Sequence, residues 1–113
     1  MAFSDVLAER MRDVLADRAN IEERRMFGGL CFLLGGNMLC GVSGSGGDRF
    51  MFRVGKTAEA EALARPGASP VEFAGRRMGG IIWVEPDAAI ETGLEDWVAF
   101  AERFVGALPA KEK

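Results

Sequence analysis

The chain has 113 residues, 49% apolar and 27% charged, with a formal net charge of −3. That suits one soluble domain with a real core and excludes a protein that coats nucleic acid non-specifically, which needs a net basic footprint. Histidine and tyrosine are absent, which removes histidine bases, Ser-His and Cys-His nucleophile pairs and histidine metal sites.

The first element reads as a helix. Ser4 suits the N-cap and Asp5 the first turn. Leu7, Met11, Val14 and Leu15 recur at helical spacing, and Asn20 is a stop. The phrase Arg24-Arg25-Met26-Phe27-Gly28-Gly29 follows, and it is echoed at Arg76-Arg77-Met78-Gly79-Gly80. Residues 30–34 and 38–42 are apolar runs around Gly35-Gly36-Asn37, the pattern of a β-hairpin. Gly28-Gly29 reads either as another turn or as a bulge in one long strand from Arg24 to Leu34. The bulge is favoured, because a turn would leave a short run with few partners. Residues 43–48 form a Gly/Ser loop that lacks the Gly-Lys-Ser/Thr ending of a phosphate loop. Residues 49–54 alternate as a strand, with Phe50, Phe52 and Val54 on one face and Arg49, Met51 and Arg53 on the other.

Thr57 can cap a short helix to about Arg65, ended by Pro66-Gly67. Residues 71–73 are extended. Gly79-Gly80 suits a two-residue hairpin turn, which would pair Arg76 with Trp83 and lay the guanidinium on the indole ring. Ile81-Ile82-Trp83-Val84 is a strand. Thr92 and Glu95 fit a capping box, and Leu94, Trp97, Val98, Ala101, Phe104, Val105 and Leu108 form an amphipathic stripe stopped by Pro109. The fold class expected is α+β: two layers, an antiparallel sheet with helices on one face, in the order α-β-β-β-α-β-β-α. Residues 1–113 read as a single domain. No leader or membrane span is read from the sequence, so the compartment expected is the cytoplasm.

No catalytic residue, metal ligand or cofactor is assigned, and the chain is expected not to be an enzyme. Cys31 and Cys40 read as buried thiols. The candidate site for an anion or partner is made of Arg24, Arg25, Arg49, Arg53, Arg76 and Arg77. Neighbouring residues of a strand point to opposite faces, so each Arg-Arg pair offers only one side chain to a shared patch. The two-sided apolarity of residues 30–34 and 81–84 suggests a second face that is either uncovered, as for a homodimer or a protein partner, or wrapped by a helix.

Met26-Phe27-Gly28-Gly29 after a first helix, hairpin strands, then Met78-Gly79-Gly80 leading into Trp83-Val84-Glu85-Pro86 and a final helix bearing Trp97 resembles the TfoX (Sxy) N-terminal domain family. The resemblance covers roughly residues 5–105 and implies a stand-alone domain with a secretion-chaperone-like fold. Full-length competence regulators of the family act in transcription of DNA-uptake genes with a cyclic-AMP receptor protein and carry a second, helical domain. The resemblance thus implies a non-enzymatic interaction module, related to transcriptional regulation or competence. The alternative is a direct nucleic-acid or anion binder working through the Arg-rich strands.

Overall fold

The structure is a computed structural model that describes residues 5–26, 29–44, 48–73 and 75–109. The side chains of Met26, Phe73 and Arg77 are outside that description, as are Phe27, Gly28, the proposed cap Ser4 and the middle of the Gly/Ser loop. In chain order the elements are α1 (Asp5–Leu15), β1 (Ile21–Met26), β2 (Gly29–Leu34), β3 (Asn37–Ser43), β4 (Arg49–Arg53), α2 (Glu59–Leu63), β5 (Ala68–Phe73), β6 (Arg76–Val84), α3 (Pro86–Thr92) and α4 (Leu94–Val105). The strands form one antiparallel sheet in the order β1-β2-β3-β4-β6-β5. The expected α+β class and element order hold. The stretch expected as one bent strand is resolved into two, and a short helix precedes the last.

The two glycine phrases exchange the roles assigned to them. β1 and β2 pair without a break from Ile21↔Leu34 to Met26↔Gly29, so the chain reverses between Met26 and Gly29 and the bulge expected there is overturned. The objection to a turn fails because the strand begins at Ile21, early enough to give all six of its residues a partner. At the second phrase the chain does not turn. β6 runs through Gly79-Gly80, and the reversal lies earlier, between Phe73 and Arg76. There β6 bulges: Pro70 opposes Ile82, yet Glu72 already opposes Arg77. Gly80 makes the bulge possible with φ +83°, and its carbonyl accepts from the amides of Val54 and Gly55. The Gly35-Gly36 hairpin is as expected, with φ 59° and 85°, the signs a type I′ turn requires.

Helix boundaries differ from expectation for local reasons. Thr57 does not cap α2, whose N-cap is Ala58 with no side-chain bond. Thr92 closes α3 instead of opening α4, so no capping box forms; Gly93 is the N-cap of α4. Pro86 stands at the first turn of α3, where its missing N–H costs nothing.

The main core lies between the sheet and the helices. It joins Leu7, Met11 and Leu15 of α1 and Leu94, Trp97, Val98, Ala101 and Val105 of α4 to Phe32, Val42, Phe50, Phe52, Ile82 and Val84. Trp97 stacks on Phe52, with ring centres 5.3 Å apart. Arg18, in the α1–β1 connection, bonds Glu95 and Glu102 of α4 at 3.1 Å each and the Val14 carbonyl at 2.8 Å. Burial works against its charge, but the bonds to Glu102 and Glu95 outweigh it and hold the guanidinium above its ordinary pKa.

The second face of the sheet is buried, and among the described residues no helix side chain joins its cluster. Cys31, Leu33, Met38, Met51, Val71, Ile81 and Trp83 form a cluster made of strand residues alone, none more than 9% exposed. Side chains of neighbouring strands cover one another on this face, and Arg49 lies over Trp83. The dimer face expected from two-sided apolarity therefore loses its basis, since this surface is buried within one chain.

α1 is clasped to β1 at its outer edge. Arg12 donates from Nε and Nη2 to the two oxygens of Glu23, at 2.8 Å each, and from Nη1 to Glu9 at 2.6 Å. The fork to Arg12 holds the Glu23 carboxyl below its ordinary pKa.

Two outcomes follow. Gly80→Ala should cost about 1–3 kcal/mol, because a Cβ there adds a backbone clash at 3.0 Å to the strain of positive φ. Gly75→Ala should cost about 1 kcal/mol, since its φ is positive but its surroundings are open; urea unfolding compares them. The lowered carboxyl of Glu23 keeps its charge when the unfolded chain begins to protonate. Its contribution is therefore complete above the ordinary glutamate pKa and disappears as pH falls through the folded value. Solvent screening of this half-exposed pair keeps it within about 1 kcal/mol. Urea midpoints between about pH 7 and pH 3 should fall less steeply in Glu23→Gln than in the parent.

Candidate functional site

The six arginines singled out by the sequence do not assemble. Arg24 and Arg25 lie on the edge strand β1, exposed; Arg24 meets Glu22 at 3.7 Å. Arg76 and Arg77 lie at the hairpin end of β6, opposite Phe73 and Glu72. β1 and β6 are separated by three strands, a distance on the order of 19 Å along the sheet. Arg49 and Arg53 sit at opposite ends of β4, about 13 Å apart. The expected Arg76–Trp83 stack is absent because both residues lie on the one strand β6, with no hairpin turn between them. Arg49 takes the place over Trp83 instead, 4.2 Å from the ring centre. The register explains this: Trp83 opposes Met51, two residues along β4 from Arg49 and on the same face.

One of the six, Arg53, joins an arginine–aromatic groove between α2 and α4. Its guanidinium lies 5.5 Å from the Phe104 ring. Phe100 is flanked by Arg65 at 4.4 Å and Arg103 at 4.6 Å. Arg65 also lies 4.8 Å from Trp97. Two adjoining clefts open here, sharing Phe100 and Arg103; one reaches Thr57 and Glu61, the other Thr92 and Asp96. Arg103 is 3.9 Å from Glu61, an exposed pair. The helix places these groups: Phe100, Arg103 and Phe104 stand three and four residues apart, on one side of α4. Arg65 is set by the end of α2, just before Pro66.

A guanidinium stacked on an aromatic ring uses its flat face and leaves its N–H fork directed outward in the plane. That fork matches a carboxylate or phosphate. The groove can therefore hold an acidic group beside an apolar one. Sequence reading missed Arg65, Phe100 and Arg103. The available signal was the Phe100-Arg103-Phe104 spacing, masked because aromatic residues of an amphipathic helix read first as core.

Both thiols are buried and unpaired, and they belong to opposite faces of the sheet: Cys31 to the strand-only cluster, Cys40 to the helix-side core. Burial pushes the Cys31 thiol up to about 11 and Cys40 further still, so neither is poised as a nucleophile. Among the described residues no three His, Cys, Asp or Glu side chains gather as a metal site, and no helix is long and apolar enough to cross a membrane. Of the motif glycines and methionines, Gly29 begins β2, Met78 packs against the strand-only cluster and Gly79-Gly80 form the β6 bulge.

The sequence model of the TfoX N-terminal domain family matches residues 13–105, nearly the whole chain. None of the curated proteins or solved structures compared with the chain matches it.

A double-mutant cycle checks the arginine placement. Arg49 and Trp83 should couple by about 0.5–1 kcal/mol, whereas Arg76 and Trp83 should show no coupling. The stability of each single and double variant in urea gives both values.

Proposed function

The chain belongs to the TfoX N-terminal domain family, and we propose on that footing that it is a non-enzymatic interaction module of transcriptional regulation, acting by protein–protein contact, self-association included. The observation that carries this reading is the family match across nearly the whole chain. The arginine–aromatic groove supports it, because the exposed Arg103 guanidinium offers an acidic side chain or terminus a fork beside the partly exposed Phe104 ring. The absence of histidine and the high thiol pKa values favour binding over catalysis. A cytoplasmic address belongs to the same reading, and two unpaired thiols agree with it. A competence role is the narrower form of the proposal and rests on family kinship alone.

Direct nucleic-acid binding is the weaker reading. It needs a continuous basic stripe, whereas the candidate arginines lie on separate strands of a chain with net charge −3.

Affinity capture of the tagged chain from its own cell lysate, with and without nuclease, tests the proposal. The expected result is a near-stoichiometric protein that survives nuclease and is lost with Arg103→Glu, a substitution at an exposed position. Recovery that vanishes with nuclease would transfer the function to nucleic acid.

A further inference from the structure

The two edges of the sheet are built differently. β5 carries Pro70, and its register with β6 breaks between Pro70 and Glu72. Proline and bulges are the usual devices that stop an edge from recruiting another strand. β1 has neither. Its six residues contain no proline or glycine, and all pair with β2 in unbroken register. The Arg12–Glu23 fork holds the strand firmly against α1 from one side. Alternate residues of such a strand turn their amides and carbonyls away from β2, ready for a further partner.

The charges on this edge run Glu22, Glu23, Arg24, Arg25. We propose that β1 pairs antiparallel with β1 of a second copy of this chain, about a twofold axis at Glu23, joining two six-stranded sheets into one. This rests on the self-association part of the function proposed above and names its surface.

Geometry limits the possible registers. A twofold axis that continues an antiparallel sheet must stand perpendicular to it. Directly opposed residues then point to the same face, so their numbers must sum to an even value. An axis at Glu23 sets Glu22 opposite Arg24 of the second copy, and Arg24 opposite Glu22 of the second copy. Glu22 and Arg24 already meet at 3.7 Å within one chain, so the four charges alternate around a square. The two Glu23 carboxylates face each other across the axis, but each is already held by its own Arg12. The neighbouring register, with its axis at Arg24, also sets Glu23 opposite Arg25, but those carboxylates are already engaged by Arg12, and the two arginines that meet at the axis are held only by the 3.7 Å contact to Glu22. The charge pattern thus selects one pairing, and a second copy supplies it.

Sedimentation of the full chain from about 1 µM to about 1 mM tests the proposal. The parent should dimerise. Arg24→Glu or Glu22→Arg alone turns both cross-strand attractions into repulsions and should weaken the dimer at least about tenfold. The double variant Glu22→Arg/Arg24→Glu should restore it, since the square of charges is merely reversed. Glu91→Arg, at an exposed position of α3, should leave the dimer unchanged, while lysate capture with Arg103→Glu reads the groove, so failure of the edge and failure of the groove are distinguished. A parent that stays monomeric throughout overturns the proposal. So does a dimer indifferent to the single variants, or one that the double variant does not recover.

Discussion

Burial of Trp97 is the constraint on which the rest of the structure depends. The indole is fully enclosed, stacked on Phe52 of β4 and touched by Phe100 and by the guanidinium of Arg65. β4, α4 and the segment that follows α2 thus meet at one ring. Among the described residues the indole N–H finds no acceptor, a loss of about 1–3 kcal/mol that the ring's packing must exceed. Once Trp97 is seated, the rotation of α4 about its axis is settled. Phe100, Arg103 and Phe104 then fall on the side facing α2, and the groove follows from the same contact that closes the core. The residues that give the surface its chemistry are next-turn neighbours of the residue that gives α4 its position.

Arg18 fixes the same helix from the side of α1. Its bonds to Glu95 and Glu102 tie the α1–β1 connection to the first and third turns of α4. A side chain only 15% exposed gains more from such bonds than a surface arginine does, and would leave more behind if they were broken. α4 is therefore gripped by aromatic stacking toward α2 and by charge toward α1. The sheet beneath it contributes Phe50, Phe52, Val42 and Val84 as an apolar floor.

Much of this was legible in the sequence. The amphipathic stripe of the last helix, the Gly35-Gly36 hairpin and the alternation around Phe50 and Phe52 each carry a local signal, and each is realised. The two arginine–glycine phrases were misread for a common reason. A Gly-Gly pair permits a turn or a bulge equally, and the choice depends on how many residues on either side find partners, which is decided by distant strands. The displaced α4 cap arose similarly: Thr92 and Glu95 have capping-box spacing, but α3 uses Thr92 for its own last turn. The arginine–aromatic groove was half legible: the Phe100-Arg103-Phe104 spacing is local to α4 but reads first as core, whereas Arg65 and Glu61 join it through packing around Trp97 and through no local pattern. The self-covered second face was invisible for a different cause. Two-sided apolarity records that both faces are dry, and says nothing of whether a helix, a second copy or the sheet's own side chains dry them.

The placement of β6 between β4 and β5 has a consequence for how the chain reaches this state. β1 to β4 form a meander in which each strand pairs with the next, so contacts can accumulate one short loop at a time. β6 cannot join in that manner. Phe50 must find Val84, and Phe52 must find Ile82, across a span that includes α2 and all of β5. That closure carries a larger entropy cost and brings Trp83 and Ile82 to the two opposite cores in a single event. The strand order thus divides the sheet into a meander of short closures and one long closure, the docking of the β5–β6 hairpin on β4, on which the full set of sheet contacts depends.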